Sequence, residues 1–171
     1  MGRQVPVPKG ERFHEGTWLT TATSGLTPLT HDVRYGESMI RQATEQDLDF
    51  LAWHDRHLQR SVMLDKIHRE EVYVVEDDSE LIGWARYNLF WDLVPFLTNI
   101  HILENHRRKR LGTRLIEFWE KEMRSKGYNL VLTSTQSDET AQFFYRTVGY
   151  RDAGVLLLPN EAAELILMKQ L

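Results

Sequence analysis

The sequence predicts an α/β (α+β) fold: one domain with a central mixed, mostly antiparallel sheet of about seven strands, flanked by about four helices. Three observations predict it. Short β-branched and apolar runs recur between residues 71 and 103, and again after 130. Between and around them lie segments with helical periodicity, the longest marked by Leu111, Leu115, Trp119 and Met123 at four-residue intervals. Glycines and polar turn residues separate the two kinds of segment. A length of 171 residues suits one domain with a sizeable core.

In chain order, residues 1–38 hold three of the five prolines and five of the ten glycines, and no apolar period persists there. They read as an N-terminal extension, either a non-native or poorly ordered leader or a short structured arm, with the domain at 39–171. A first strand is expected at Met39. Thr44 and Asp47 have the spacing of a capping box, opening a helix that Leu48, Leu51, Ala52 and His54 to Leu58 continue. A second short helix is expected at about 62–69. Residues 71–76 form a strand, 77–80 a polar turn, and 81–89 the hairpin partner, with Gly83 at a bulge or a close approach. The segment 90–95 connects into the central strand, 96–103. Strict alternation there puts Phe96, Thr98, Ile100 and Ile102 on one face and Asn99 and His101 on the other. A cation-rich loop, 104–113, then opens the amphipathic helix, whose charged positions include Glu117, Glu120 and Lys121, and Gly127 stops it. A buried strand at 130–133, a polar loop, a helix ended by Gly149 and two closing strands around Pro159-Asn160 complete the order.

Composition excludes some chemistry. With no cysteine, disulfides, thiolate metal sites and a cysteine acyl-enzyme are ruled out, so any acyl transfer is direct. A formal net charge of -4 argues against a protein devoted to nucleic acid, and a membrane span would need a far longer apolar run than any present. The expectation is a cytoplasmic protein with neither nucleic-acid nor membrane partners. His54 and His57 have a spacing that could make a metal pair, but without acidic partners at matching intervals they read as exposed helix residues, and no metal is expected.

The cluster Arg107, Arg108, Lys109 and Arg110 lies where a helix begins, at the end whose free N–H groups and dipole favour an anion. Gly112 lets the backbone approach that anion, so the loop is suited to a pyrophosphate. A solvated basic surface, or a site for polyanions in general, is the alternative.

Arg107-Arg-Lys-Arg-Leu-Gly112-Thr resembles the acetyl-CoA loop of the GNAT superfamily of N-acetyltransferases, Arg/Gln-x-x-Gly-x-Gly/Ala, with Arg110 in place of the first glycine. Asp138-Glu-Thr-Ala141-Gln-Phe-Phe144-Tyr145-Arg-Thr-Val-Gly149-Tyr150 resembles that superfamily's Asn-x-x-Ala-x-x-Phe-Tyr-x-x-x-Gly-Phe, with aspartate for asparagine and tyrosine for the last aromatic. The order of elements over 39–171 agrees with the same architecture.

The resemblance implies acetyl transfer from acetyl-CoA, a cosubstrate, to a small-molecule or peptide amine within a ternary complex. It implies cofactor contacts at Ile102, Leu103, Arg107, Arg108, Lys109, Arg110, Leu111, Gly112, Thr113, Ser134, Asp138, Phe144 and Tyr145. Tyr145 would serve as the acid to the CoA sulfur, or else pack its helix beside Phe144. A backbone N–H on a central strand splayed by a bulge would polarise the thioester carbonyl. Asp138 would also cap its own helix. For the base, the residues leave His101, Asp92 and an ordered-water relay open. Trp91, Asp92 and Asn99 are candidates for acceptor recognition, an aromatic beside a carboxylate attracting an ammonium group. The alternative for the 90–95 hairpin is packing on the core or on a second subunit of a homodimer. A non-catalytic acyl-CoA-binding module is the other functional reading. The acceptor is chosen by residues between Thr44 and Asp92, where no diagnostic pattern stands out.

Overall fold

The structure is a computed structural model, and it describes residues 32–171 except 36 and 37. Most of the predicted extension therefore lies outside the described residues. Its end does not: β1 (Val33–Tyr35) pairs antiparallel with β2 (Ser38–Gln42), so the sheet starts upstream of Met39 and has eight strands. The remaining strands are β3 (Val72–Asp77), β4 (Glu80–Phe90), β5 (Val94–Ile102), β6 (Leu130–Gln136), β7 (Arg151–Leu156) and β8 (Glu164–Gln170), in the spatial order β1-β2-β3-β4-β5-β6-β8-β7. Every neighbouring pair is antiparallel except β5 with β6. That parallel join needs a crossover, and the amphipathic helix supplies it.

Among the described residues four α-helices flank the sheet: α1 (Leu48–His54), α2 (Arg60–His68), α3 (Leu111–Ser125) and α4 (Ala141–Thr147). The Thr44–Asp47 capping box forms, with the Thr44 N–H donating to Asp47 Oδ2 at 2.7 Å, and a short 3-10 turn leads into α1. Helix α1 ends at His54, because the chain turns out at Asp55. His57 is thus off the helix, and the His54/His57 one-turn spacing does not arise.

Two apolar clusters line the two faces of the sheet. On one, Leu111, Leu115, Ile116, Phe118, Trp119 and Met123 of α3 meet Tyr73, Ala85, Tyr87, Leu97 and Ile102. Each fully buried large side chain there contributes about 1.5–3 kcal/mol. On the other, α1 and α2 pack Leu48, Leu51, Met63 and Ile67 over Val72, Val74 and Trp84. Glu120, expected among the charged positions, is only 4% exposed; Lys169 of β8 donates to its Oε2 at 2.6 Å. At the end of α3 Gly127 adopts φ 88° and the Tyr128 N–H returns to the Met123 carbonyl at 3.0 Å, the turn that the glycine predicts. Among the described residues no helix is long and apolar enough to cross a membrane.

The central strand departs from strict alternation. Tyr87 pairs with Leu97 but Arg86 pairs with Asn99, so Thr98 is an extra residue, a β-bulge. The bulge swaps faces: Leu97, not Phe96 or Thr98, shares the α3 face with Ile100 and Ile102. Asn99 and His101 point to the opposite face as expected, where the His101 ring stacks on Trp84 with centroids 4.6 Å apart.

Candidate active site

Strands β5 and β6 pair at only two positions, Phe96 with Leu132 and Leu97 with Thr133. Thr133 Oγ1 donates to the Leu97 carbonyl at 3.0 Å, and beyond that point the strands diverge. The bulge at Thr98 accompanies the divergence, and the backbone of β5 after Leu97 has no ladder partner on the β6 side. The gap opens into two cavities that share Ile100, Arg107, Ala141 and Tyr145 in their walls.

The first cavity, about 530 Å³, lies against the start of α3 and is lined by Ile102, His106, Arg108, Arg110, Leu111, Gly112, Thr113 and Phe144 as well as the shared residues. Arg110 occupies the residue before the helix in the left-handed region, φ 63°, and Arg108 does likewise at φ 62°. Arginine therefore adopts the glycine-favouring conformation at the position where the resemblance has glycine. Holding arginine in that region costs roughly 1–2 kcal/mol. Gly112 faces Phe144: a Cβ built there would sit 3.7 Å from Phe144 Cζ, at the wall of the cavity. Arg107 is held by its Nε donating to the Ile102 carbonyl at 2.8 Å.

The second cavity, about 830 Å³, is polar. Thr98, Asn99 and His101 of β5 form one side, Ser134, Thr135 and Gln136 of β6 the other, with Asp138, Glu139, Thr140, Glu164 and His57 at the rim. Glu139 is fixed by the Thr135 hydroxyl, which donates to its Oε2 at 2.7 Å. Burial lowers the His101 pKa from its ordinary 6.5, and the Arg107 cation adds to that effect. An Arg107 Nη lies 3.5 Å from His101 Nε2. A guanidinium has only donors, so in this contact the ring nitrogen can act only as acceptor, a role that the neutral imidazole fills.

Tyr145 stands between the cavities, 5% exposed. Burial pushes its phenol up; a hydrogen bond with Thr133 opposes this, and the carboxylates Glu139 and Glu164 reinforce it. Its proton is therefore retained at neutral pH and available to donate. Two polar atoms at the site are buried without a hydrogen-bond partner among the described residues, His106 Nδ1 by the first cavity and Asn99 Oδ1 by the second. Arg107, Arg108 and Arg110 around a cavity of this size fit a bound phosphorylated ligand.

Several predicted site residues stand elsewhere. Asp92 and Trp91 occupy the β4–β5 turn with φ 58° and 54°, and neither lines a cavity. Asp92 and Asn99 are seven positions apart along extended chain, about 20 Å, because the turn lies at the opposite end of β5 from the splay. Nor does the hairpin pack on the core: Trp91 is 79% exposed and Leu93 70%. Leu103 packs with the α1/α2 cluster, its N–H bound to the Ile82 carbonyl at 2.8 Å, and Lys109 is exposed; neither lines a cavity. Asp138 lines the polar cavity but does not cap α4, which begins three residues later with Thr140 before it. Titratable residues not foreseen at this site include His106, Glu139 and Glu164, and also His57, which the sequence suggests only for a metal pair. His106 adjoins the basic run and Glu139 lies inside the second sequence pattern, whereas nothing local marks His57 or Glu164. Among the described residues no three metal-ligating side chains cluster.

A family model described as the acetyltransferase (GNAT) family matches residues 36–150. Among solved structures, the chain is similar to Ard1 from Thermoplasma volcanium, with TM-score 0.69 and 14% identity over 79% of this chain and 98% of that one. It is similar also to the PaiA N-acetyltransferase from Thermoplasma acidophilum in complex with coenzyme A, with TM-score 0.66 and 18% identity over 80% and 100%. A third is the ribosomal-protein-S18-alanine N-acetyltransferase from Escherichia coli, with TM-score 0.64 and 16% identity over 78% and 93%. At these identities the likeness is one of fold. No curated protein matches the sequence.

Proposed function

The chain belongs to the acetyltransferase (GNAT) family, and from that premise we propose that it moves an acetyl group from acetyl-CoA to a primary amine by direct attack in a ternary complex. The observation that carries the reading is that a cation-lined cavity at the start of α3 and a polar cleft adjoin, with Ile100 and Tyr145 in the walls of both. A thioester with its pyrophosphate at the start of α3 would reach the polar cleft at that junction.

In this reading Arg107, Arg108 and Arg110, with the free N–H groups of the first turn of α3, hold the pyrophosphate. Unpaired N–H groups of β5 beyond the bulge receive the thioester carbonyl oxygen as it gains negative charge. The amine enters from the polar cleft, where Asp138, Glu139 and Glu164 favour a cationic acceptor, and His101, neutral, takes its proton directly or through water. The amine nitrogen bonds to the carbonyl carbon, the C–S bond breaks, and Tyr145 gives its proton to the departing thiolate. The acceptor is a small molecule or a peptide. The Escherichia coli neighbour is, by its name, an enzyme acting on a protein alanine.

The test is calorimetry with coenzyme A followed by an acetyl-CoA consumption screen across amine classes, run on the parent and on Tyr145→Phe. The expected result is binding by both, turnover by the parent, and a fall in kcat of about 10²–10⁴ in the variant. Binding without turnover on any amine class would instead support a carrier-binding module.

A further inference from the structure

A buried ionic chain runs beneath the bulge. Asp55, 1% exposed, follows α1, and Arg86, 7% exposed, lies on β4. Arg86 Nε donates to Asp55 Oδ2 at 2.6 Å, and Arg86 Nη1 donates to Thr98 Oγ1 at 2.8 Å. The Thr98 hydroxyl in turn donates to the Arg86 main-chain carbonyl at 3.1 Å. The other Asp55 oxygen, Oδ1, accepts the His57 N–H at 3.2 Å, and His57 stands at the rim of the polar cleft. One guanidinium thus ties the extra residue of the bulge to the loop that walls the acceptor side.

Stability alone does not call for such a chain. A buried ion pair pays a desolvation cost that commonly cancels its attraction, and well-packed apolar residues would stabilise this face as well. What the chain does, and an apolar contact would not, is fix direction. Thr98 has no partner residue on β4, so without its hydroxyl clasping Arg86 the bulge is free to redistribute along β5. Each shift would re-aim the unpaired N–H groups that face the cleft.

We propose that Asp55, Arg86 and Thr98 are positioning residues that hold the β5 bulge, and with it the main-chain donors for the thioester carbonyl, in register with the acceptor wall. The inference rests on the acetyltransferase reading. None of the three residues is required to touch the reacting atoms.

The test is isotope-edited infrared spectroscopy of acetyl-CoA labelled with carbon-13 at the carbonyl, bound to the parent, Thr98→Val and Thr98→Ser, together with steady-state kinetics. Valine preserves the branched shape and removes both hydrogen bonds; serine keeps the hydroxyl. In the parent and Thr98→Ser the bound carbonyl stretch falls below that of free acetyl-CoA. In Thr98→Val it returns towards the free value, and kcat falls roughly tenfold or more while KM for acetyl-CoA changes little. Arg86→Lys, which keeps the charge but not the two-way fork, provides the same readout should the valine variant fail to fold. A valine or lysine variant that binds acetyl-CoA with the parent's carbonyl frequency and kcat, losing only melting temperature, overturns the positioning role and leaves the acetyltransferase reading intact. A parent that binds no acetyl-CoA overturns both.

Discussion

Arg110 shows how one side chain can serve a site and burden the backbone at once. Its φ of 63° is a conformation that glycine adopts freely and arginine does not, yet the residue lines the cation-rich cavity. Arg110→Gly is expected to raise stability by about 1 kcal/mol in chemical denaturation and to weaken coenzyme A binding by roughly threefold to tenfold in calorimetry. His101 makes a second residue-scale prediction. A base works only when neutral, and burial with the nearby Arg107 lowers its pKa below the ordinary 6.5. The acidic limb of kcat/KM against pH should therefore fall below 6.5, with activity lost as His101 protonates on acidification, and His101→Gln should abolish that limb. At this scale the sequence was a mixed guide. Tyr145, His101, Arg107, Arg108 and Arg110 line the two cavities, and short patterns could single them out because such patterns encode local turns and helix faces. Asp92 does not, because nearness in sequence to a strand does not say which end of the strand carries the site.

Among the elements, β5 decides most. Its neighbour β4 approaches so closely at Gly83 that a Cβ there would lie 2.5 Å from Ile102 Cδ1 and 2.7 Å from the His101 carbonyl oxygen. Backbone cannot yield as a flexible side chain does. Gly83→Ala is thus expected to destabilise the fold by about 1–3 kcal/mol, measured by urea unfolding, and to lower activity through the displaced His101–Ile102 segment. The glycine was legible as a bulge or close-approach position. The bulge at Thr98 was not legible from alternation, since it arises from a register shift against Arg86 and Tyr87 that depends on residues a hairpin away. Resemblance implied a bulge on this strand but did not assign it to a residue. The same limit hid the Asp55–Arg86 pair, whose members are 31 positions apart with no repeating spacing between them.

At the scale of the whole molecule, the penultimate strand and the crossover helix are joined by one buried charge pair. Lys169 of β8 meets Glu120 of α3 at 2.6 Å, and the Tyr150 phenol lies against the same buried carboxylate. Lys169→Met would strand that carboxylate, so a loss of about 3–5 kcal/mol is expected in denaturant titration, largely recovered in the double variant Lys169→Met/Glu120→Leu. The helix periodicity placed the apolar stripe of α3 correctly and Glu120 wrongly. A charged residue reads as solvated unless its partner is known, and that partner is 49 positions away. The overall order of strands and helices, by contrast, was readable because each segment carries its own period and its own stop.

The two-rung join of β5 to β6 has a consequence for how such a protein changes over time. An aperture made by main chain parting from main chain rests on the bulge and on the Asp55–Arg86–Thr98 chain beneath it, and not on the other side chains at its lips. In the proposed reading Asn99 and Ser134 can be exchanged, and the choice of amine with them, while the opening itself persists and His101 stays as base. New acceptors are then gained by substitution at the margin, without rebuilding the frame.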